Sequence, residues 1–183
     1  MFTLKIDDDI ELALVQPSFS PRYVALIKGD FEYLDQWLAW PKHCQTEETF
    51  LSFVSKSLHD YADGKSLTCA MLYKGTIVGN ISFNSIQKDL KSAEIGYWLC
   101  SKYQGKGIVT RVVSALISMA FNQYELEKVQ ISAAVSNKPS RAVCERLGMT
   151  LEGVITNAEN LNGRIVDHAI YAAYKNQWPD PVA

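Results

Sequence analysis

The sequence has no C-x-x-C pair, no basic run and no long apolar stretch, and each absence removes a class of protein. Its four cysteines, Cys44, Cys69, Cys100 and Cys144, stand far apart, which argues against a zinc site or a disulfide framework and for free thiols in a reducing compartment. Lys and Arg number 18 against 20 Asp and Glu, a net charge of −2, and the cations are scattered, so no positive field is present to hold a nucleic-acid backbone. No apolar run approaches the roughly 20 residues that cross a bilayer. The first residues, with Asp7, Asp8, Asp9 and Glu11, lack the basic and then apolar order of a signal peptide. A cytoplasmic protein that engages neither membrane nor nucleic acid is expected. No metal site is expected either.

What is present suits one folded domain over residues 1–183: 48% of residues are hydrophobic and 21% charged, an ordinary globular balance. Residues 10–15 alternate apolar and polar as a first strand. Ser20-Pro21 reads as an N-cap followed by proline at the first helical position. A short helix follows Gly29-Asp30, with Phe31, Leu34, Trp37 and Leu38 at helical spacing, and Pro41 ends it. Thr46-Glu47-Glu48-Thr49 opens a third helix running to about Ala62, with Phe50, Phe53, Val54, Leu58 and Tyr61 on one face. Strands at 66–73, 76–83 and 92–99 come next, the first two joined by a tight Lys74-Gly75 turn. A helix from Gly107 to about Tyr124, a strand over 129–135, a helix over 139–147 and strands over 150–156 and 164–174 complete the chain. The fold class is therefore a mixed α/β domain with about seven strands, most of them antiparallel, flanked by helices.

The chemistry concentrates at the centre of this order. The strand Ala93 to Leu99 leads through Lys102-Tyr103-Gln104-Gly105-Lys106-Gly107 into the helix that starts near Ile108. A glycine-bearing loop at a helix N-terminus presents backbone N–H groups at the positive end of the helix dipole, and Gly105 and Gly107 let that backbone approach an anion closely. The loop lacks the P-loop pattern and the dinucleotide fingerprint, which lowers nucleoside triphosphates and NAD. Taken alone, it is equally well read as a plain helix entry.

Lys102 to Gly107 resembles the acyl-CoA loop R/Q-x-x-G-x-G/A of the GNAT acetyltransferase superfamily, with Lys102 where Arg or Gln is usual. Glu94-Ile95-Gly96-Tyr97-Trp98-Leu99 resembles the fourth strand of that fold. Asn137 to Met149 resembles its N-x-x-S…E-R-x-G-F segment, with Met149 replacing Phe. Within the superfamily the chain is similar to the Rim-type enzymes that acetylate N-termini of ribosomal proteins, above all the RimL branch, through Trp37-Leu38-Ala39-Trp40-Pro41, Ile81-Ser82-Phe83-Asn84, Leu151-Glu152-Gly153 and Ala158 to Gly163. The core motifs fall within residues 66–174.

This resemblance implies an acetyl-CoA-dependent transfer of acetyl to an amine, most simply the α-amine of a protein N-terminus. It implies that backbone groups of Tyr97, Trp98 and Leu99 pair with the pantetheine arm and that Gln104, Gly105, Lys106, Gly107, Ile108 and Val109 hold the diphosphate. Gly96 would mark a bulge that splays the strand. Asn137 would cap its helix and contact CoA, and Ser140 would donate a hydrogen bond to the departing thiolate; a first-turn serine capping its own backbone is the plainer alternative. Glu159 is the preferred general base, with Glu94 as runner-up; a solvated loop carboxylate and a strand-face carboxylate paired to a cation are their plainer alternatives. Trp40 and His43 are candidates for the acceptor wall, although an aromatic stripe is more often core. His59 and His168 show no partner pattern of a hydrolytic triad. Two rival functions remain: a small-molecule enzyme acting on a polyamine or aminoglycoside, which needs an acidic acceptor cleft, and a CoA-binding module without catalysis. The resemblance also implies a homodimer.

Overall fold

The computed structural model describes residues 3–179. The order of elements is β1 (Thr3–Lys5), β2 (Ile10–Leu14), α1 (Ser20–Gly29), α2 (Phe31–Trp37), α3 (Glu47–Ala62), β3 (Leu67–Tyr73), β4 (Thr76–Gln87), β5 (Ser92–Leu99), α4 (Ile108–Asn122), β6 (Lys128–Ala134), α5 (Lys138–Arg146), β7 (Thr150–Leu161) and β8 (Arg164–Tyr174). The strands form one sheet in the order β1-β2-β3-β4-β5-β6-β8-β7. Every pairing is antiparallel except β5 with β6. That single parallel step is the crossover through α4, and the site is built around it.

Among the described residues eight strands stand where about seven are expected, because β1 anneals to the outer edge of β2. Three exposed residues carry no periodicity from which to read a strand. The sheet is covered on both faces. Leu67, Cys69, Met71, Ile95 and Leu99 pack beneath α4 and α5, while Ala70, Leu72 and Val15 pack with Tyr23, Leu26, Phe50 and Val54 beneath α1 and α3. β3 is buried on both sides over six consecutive residues, hence its unbroken apolar sequence.

Two helix expectations change. Ser20 is not an N-cap: a 3-10 turn over Pro17–Phe19 runs directly into α1, and the Ser20 hydroxyl donates to the Pro17 carbonyl at 2.8 Å. On α3, Phe50, Val54 and Ser57 are the buried positions, whereas Phe53 and Tyr61 face outward, because the helix touches the sheet along a narrower stripe than its apolar residues span. The α3 start is as expected, with Thr46 and Thr49 forming a reciprocal capping box. Lys74-Gly75 and Asn162-Gly163 both have positive φ at both positions, the geometry of two-residue hairpin turns whose twist matches the strands. Among the described residues no helix is long and apolar enough to cross a membrane, and no group of three or more His, Cys, Asp or Glu is arranged to hold a metal ion.

Candidate active site

β5 and β6 pair only from Ser92 to Glu94 against Lys128 to Gln130. Beyond that point each keeps its outer neighbour, β4 for β5 and β8 for β6, and the two strands part. The gap is a cleft of about 1300 Å³ whose walls include Ile95 to Leu99 on one side and Ile131 to Ala134 on the other. An extended ligand fits between two such strand edges as an additional strand does. The parting coincides with a bulge, but not at Gly96 as the sequence suggests. Phe83 faces Ile95 and Ser85 faces Glu94, so the extra residue is Asn84 on β4. Gly96 serves a different need: a Cβ there would lie 2.5 Å from Asn84 Nδ2, and its absence lets the Asn84 side chain, accepting from Ser82 Oγ at 2.6 Å, lie across the strand at the cleft.

At one end of the cleft β5 turns through a 3-10 segment, Ser101–Tyr103, into Gln104-Gly105-Lys106-Gly107 and α4. Gly105 and Gly107 adopt φ of +72° and +69°, which other residues enter only with strain, and nothing lies within 4 Å of where a Gly105 Cβ would be. Gly107 is the N-cap of α4 and no side chain caps the helix. Its first-turn N–H groups, on residues that line the cleft, are left to a ligand or solvent. The loop is braced from behind. Arg111 donates to the Lys106 carbonyl at 3.1 Å and the Gly107 carbonyl at 3.5 Å, and it pairs with Asp7 Oδ2 at 2.6 Å. Burial works to raise the Asp7 carboxyl, but hydrogen bonds from the Asp9 N–H and from Arg111 outweigh it and hold the group below its usual range. Asp7, one of the acidic residues near the start of the sequence, is thus a support of the loop. The loop is also tied to the α1–α2 corner, where Asp30 accepts from Ser101 N at 2.6 Å and from Ser101 Oγ at 2.7 Å, and Gln104 donates to the Tyr33 hydroxyl.

Along the α5 wall, Asn137 caps the helix by accepting from Ser140 N at 3.2 Å. Ser140 does not cap its own backbone: its Oγ lies 2.9 Å from the Tyr97 hydroxyl. Glu94, Trp40, His43 and Glu159 of the β7–β8 hairpin also line the cleft. Among the described residues Glu94 forms no ion pair, whereas Glu159 Oε2 lies 3.1 Å from His168 Nε2. A register shift between Ile155 and Glu159 loosens β7 there. The hairpin tip grips α2: Asn162 donates to the carbonyls of Asp35 at 2.8 Å and Leu38 at 3.1 Å, and Arg164 donates to that of Gln36. These are C-terminal helix carbonyls that α2 cannot satisfy itself. Trp40 contacts Trp98 with ring centroids 5.8 Å apart, and Trp98 meets Tyr23 edge-on, so Trp98 links Trp40 to the cluster beneath α1 and α3.

Every residue assigned a role in binding or catalysis from the sequence therefore borders one cleft. Asn84, Arg146 and His168 border it too, and Arg111 supports the loop from outside it. Arg146 lines the cleft beside the first turn of α4, donating to Thr110 Oγ1 at 3.2 Å, where its charge favours an anion. The donor set fits the cofactor the motifs imply: uncapped helix amides and cations for phosphates, and a strand-edged gap for an amide-bearing arm.

Comparison with known proteins gives the same answer. Residues 11–150 match the acetyltransferase (GNAT) domain family. The chain is 34% identical over 171 residues to the ribosomal-protein-serine acetyltransferase of Escherichia coli (strain K12), covering 93% of this chain and 95% of the relative. It superposes on a RimL ribosomal L7/L12 α-N-protein acetyltransferase, solved in complex with coenzyme A, with a TM-score of 0.91 and 29% identity over 94% of this chain and 98% of that one. It also superposes on the microcin C7 self immunity acetyltransferase MccE, solved with acetyl-CoA and AMP, with a TM-score of 0.89 and 35% identity over 93% of this chain and 95% of that one. The chain belongs to the GNAT acetyltransferase family and is an N-acetyltransferase.

Proposed function

We propose that the chain transfers acetyl from acetyl-CoA to the N-terminal α-amine of a protein, of the ribosomal type that its RimL relatives modify. The observation that carries this reading is the charge of the cleft, joined to likeness along nearly the whole chain. Its described lining holds two carboxylates, Glu94 and Glu159, against three cations, Lys42, Lys106 and Arg146. A polyamine acceptor finds no acidic cleft there. A peptide α-amine, with an ordinary pKa of about 7.7 to 8.0, needs one modest base and no electrostatic trap.

In this reading the amides of Gln104 to Val109, with Arg146 nearby, hold the diphosphate, and the edge of β5 at Tyr97 to Leu99 pairs with the pantetheine arm. Glu159 removes the amine proton directly or through one water, held by His168, and Glu94 is the second candidate for that role. The amine attacks the thioester carbonyl, the C–S bond breaks, and Ser140 donates to the thiolate. Transfer is direct. Burial pushes the Cys144 thiol, four residues after Ser140, to about 12, so it offers no thiolate nucleophile near neutral pH.

A second reading is favoured by one specific feature. Trp40, Lys42 and His43 line the cleft together, an indole and basic side chains of a kind that suits a purine and a phosphate, and the MccE relative was solved with AMP. The two are separated by following thiol release with acetyl-CoA and a panel of acceptors: peptides with free and blocked N-termini, aminoacyl nucleotide analogues, polyamines and aminoglycosides. Turnover on free N-termini alone supports the main reading. Turnover confined to nucleotide-linked amines or polyamines overturns it, and acetyl-CoA binding without turnover marks a binding module.

The brace behind the loop has its own expected result. Arg111→Ala should weaken acetyl-CoA binding about tenfold, by freeing a loop the wild type holds ready, with kcat at saturation nearly unchanged. Calorimetric titration with CoA checks it. We further infer a homodimer through the β7 edge, unpaired among the described residues, where Leu151, Val154 and Ile155 of β7 stand exposed with Ile165 of the adjoining β8; light scattering reports a dimeric or a monomeric mass.

A further inference from the structure

Tyr97 has a side chain the reaction can use, apart from its backbone. Side chains alternate along β5. Ala93, Ile95 and Leu99 belong to the cluster beneath α4 and α5, with Tyr97 packed against it, whereas Trp98 packs with the cluster beneath α1 and α3. The Tyr97 ring thus runs under α5, and its hydroxyl lies 2.9 Å from Ser140 Oγ, with the Ser140 carbonyl oxygen, at 3.2 Å, the more distant competitor for its one proton. Ser140 is fixed from the opposite side by its backbone N–H on Asn137. Burial pushes the Tyr97 hydroxyl well above its usual range, so the phenol stays neutral and protonated at any working pH.

We propose that Tyr97 is a positioning residue for acetyl transfer: its O–H donates to Ser140 Oγ and leaves the Ser140 proton free to point into the cleft at the departing sulfur. This rests on the assignment of Ser140 to the thiolate. A serine oxygen has one proton and two lone pairs. Were Ser140 to donate to Tyr97, its only proton would point beneath α5, away from the cleft. With Tyr97 as donor, one lone pair is filled and the outward O–H is polarised, since consecutive hydrogen bonds strengthen one another. The balance of the step is simple. The amine nitrogen forms the new C–N bond, the C–S pair leaves on sulfur, the amine proton passes to the base, and both hydroxyls keep their protons while stabilising the thiolate.

The test is a double-mutant cycle on the full chain with acetyl-CoA and its preferred acceptor. Tyr97→Phe removes one oxygen and its hydrogen bond from a packed ring, so its melting temperature should fall by no more than about 4 °C. Its kcat should fall about tenfold with KM for acetyl-CoA within about twofold, the scale of one lost hydrogen bond to a group that carries charge in the transition state. Ser140→Ala should lower kcat further, and adding Tyr97→Phe to it should change nothing, because the tyrosine acts only through the serine. A Tyr97→Phe enzyme at the wild-type rate beside a slow Ser140→Ala overturns the proposal. So do additive effects of the two changes, which would place Tyr97 elsewhere in the reaction. Ser140→Ala at the wild-type rate removes the assignment of Ser140 itself, a distinct outcome.

Discussion

Replacement of Glu159 by Gln should lower kcat about a hundredfold, the lower end of what a positioned general base contributes, and leave KM for acetyl-CoA nearly unchanged. The amide keeps the shape of the carboxylate and can still meet His168 Nε2, which lies 3.1 Å from Oε2 in the wild type, so the hairpin keeps its place. Only the ability to take the proton is lost. Steady-state kinetics over a range of pH measures it. Because deprotonation of the amine itself replaces the base as pH rises, the deficit should shrink toward alkaline pH. Glu94→Gln is the necessary companion. Glu94 precedes the parting of β5 from β6, borders the same cleft and has no ion pair among the described residues, so it is free to act if Glu159 does not. A full wild-type rate for Glu159→Gln with a slow Glu94→Gln would exchange their roles.

These assignments show how far local sequence reaches. The loop at Gln104 to Gly107 is legible because its determinants are neighbours: two glycines at positive φ, a strand before and an apolar helix after. The helix start at Thr46-Glu47-Glu48-Thr49, and the turn at Lys74-Gly75, are legible for the same reason. What the loop leans on is not. Arg111 and Asp7 are 104 residues apart, and nothing in either neighbourhood announces the other. An Asp triplet near the start of the chain looks like any solvated charge run, and only the β1–β2 turn beside α4 makes Asp7 a partner.

Tyr97 and Glu159 illustrate two further limits. Tyr97 falls within a recognisable strand motif, and alternation along β5 separates its face from that of Trp98. The reach of its hydroxyl to Ser140, 43 residues on, depends on how α5 crosses the sheet. Glu159 sits where β7 slips register against β8, so strand periodicity fails there, and its stretch, Asn157-Ala158-Glu159-Asn160, reads as a polar loop. The bulge is misplaced for a related reason. Gly96 signals close approach, which is correct, but a glycine does not say whether it yields to a bulge in its own strand or to a side chain from the next. Asn84 supplies both answers, as the extra residue on β4 and as the group lying over Gly96.

The same distinction yields the second large effect. Gly79→Ala should destabilise the fold by about 3 kcal/mol, the upper range for overpacking, which lowers Tm by roughly 6 to 12 °C in a chain of this size. A Cβ at Gly79 would fall 2.2 Å from the Trp98 carbonyl oxygen and 2.9 Å from Leu99 Cα, both backbone atoms of β5 with no rotamer to yield. β4 and β5 are paired there, Gly79 with Leu99 and Asn80 with Trp98, so relief requires moving the strand edge that borders the cleft. Acetyl-CoA binding should therefore weaken along with stability. Gly96→Ala is the control on the same strand pair. Its new methyl meets the Asn84 amide, a side chain able to swing away, so Tm should fall by no more than about 2 °C, roughly the shift that 1 kcal/mol or less produces. Calorimetric scans of both variants decide the matter. If Gly79→Ala melts with the wild type, β5 is free to shift at Trp98, and the rigid edge on which the pantetheine pairing depends is not there.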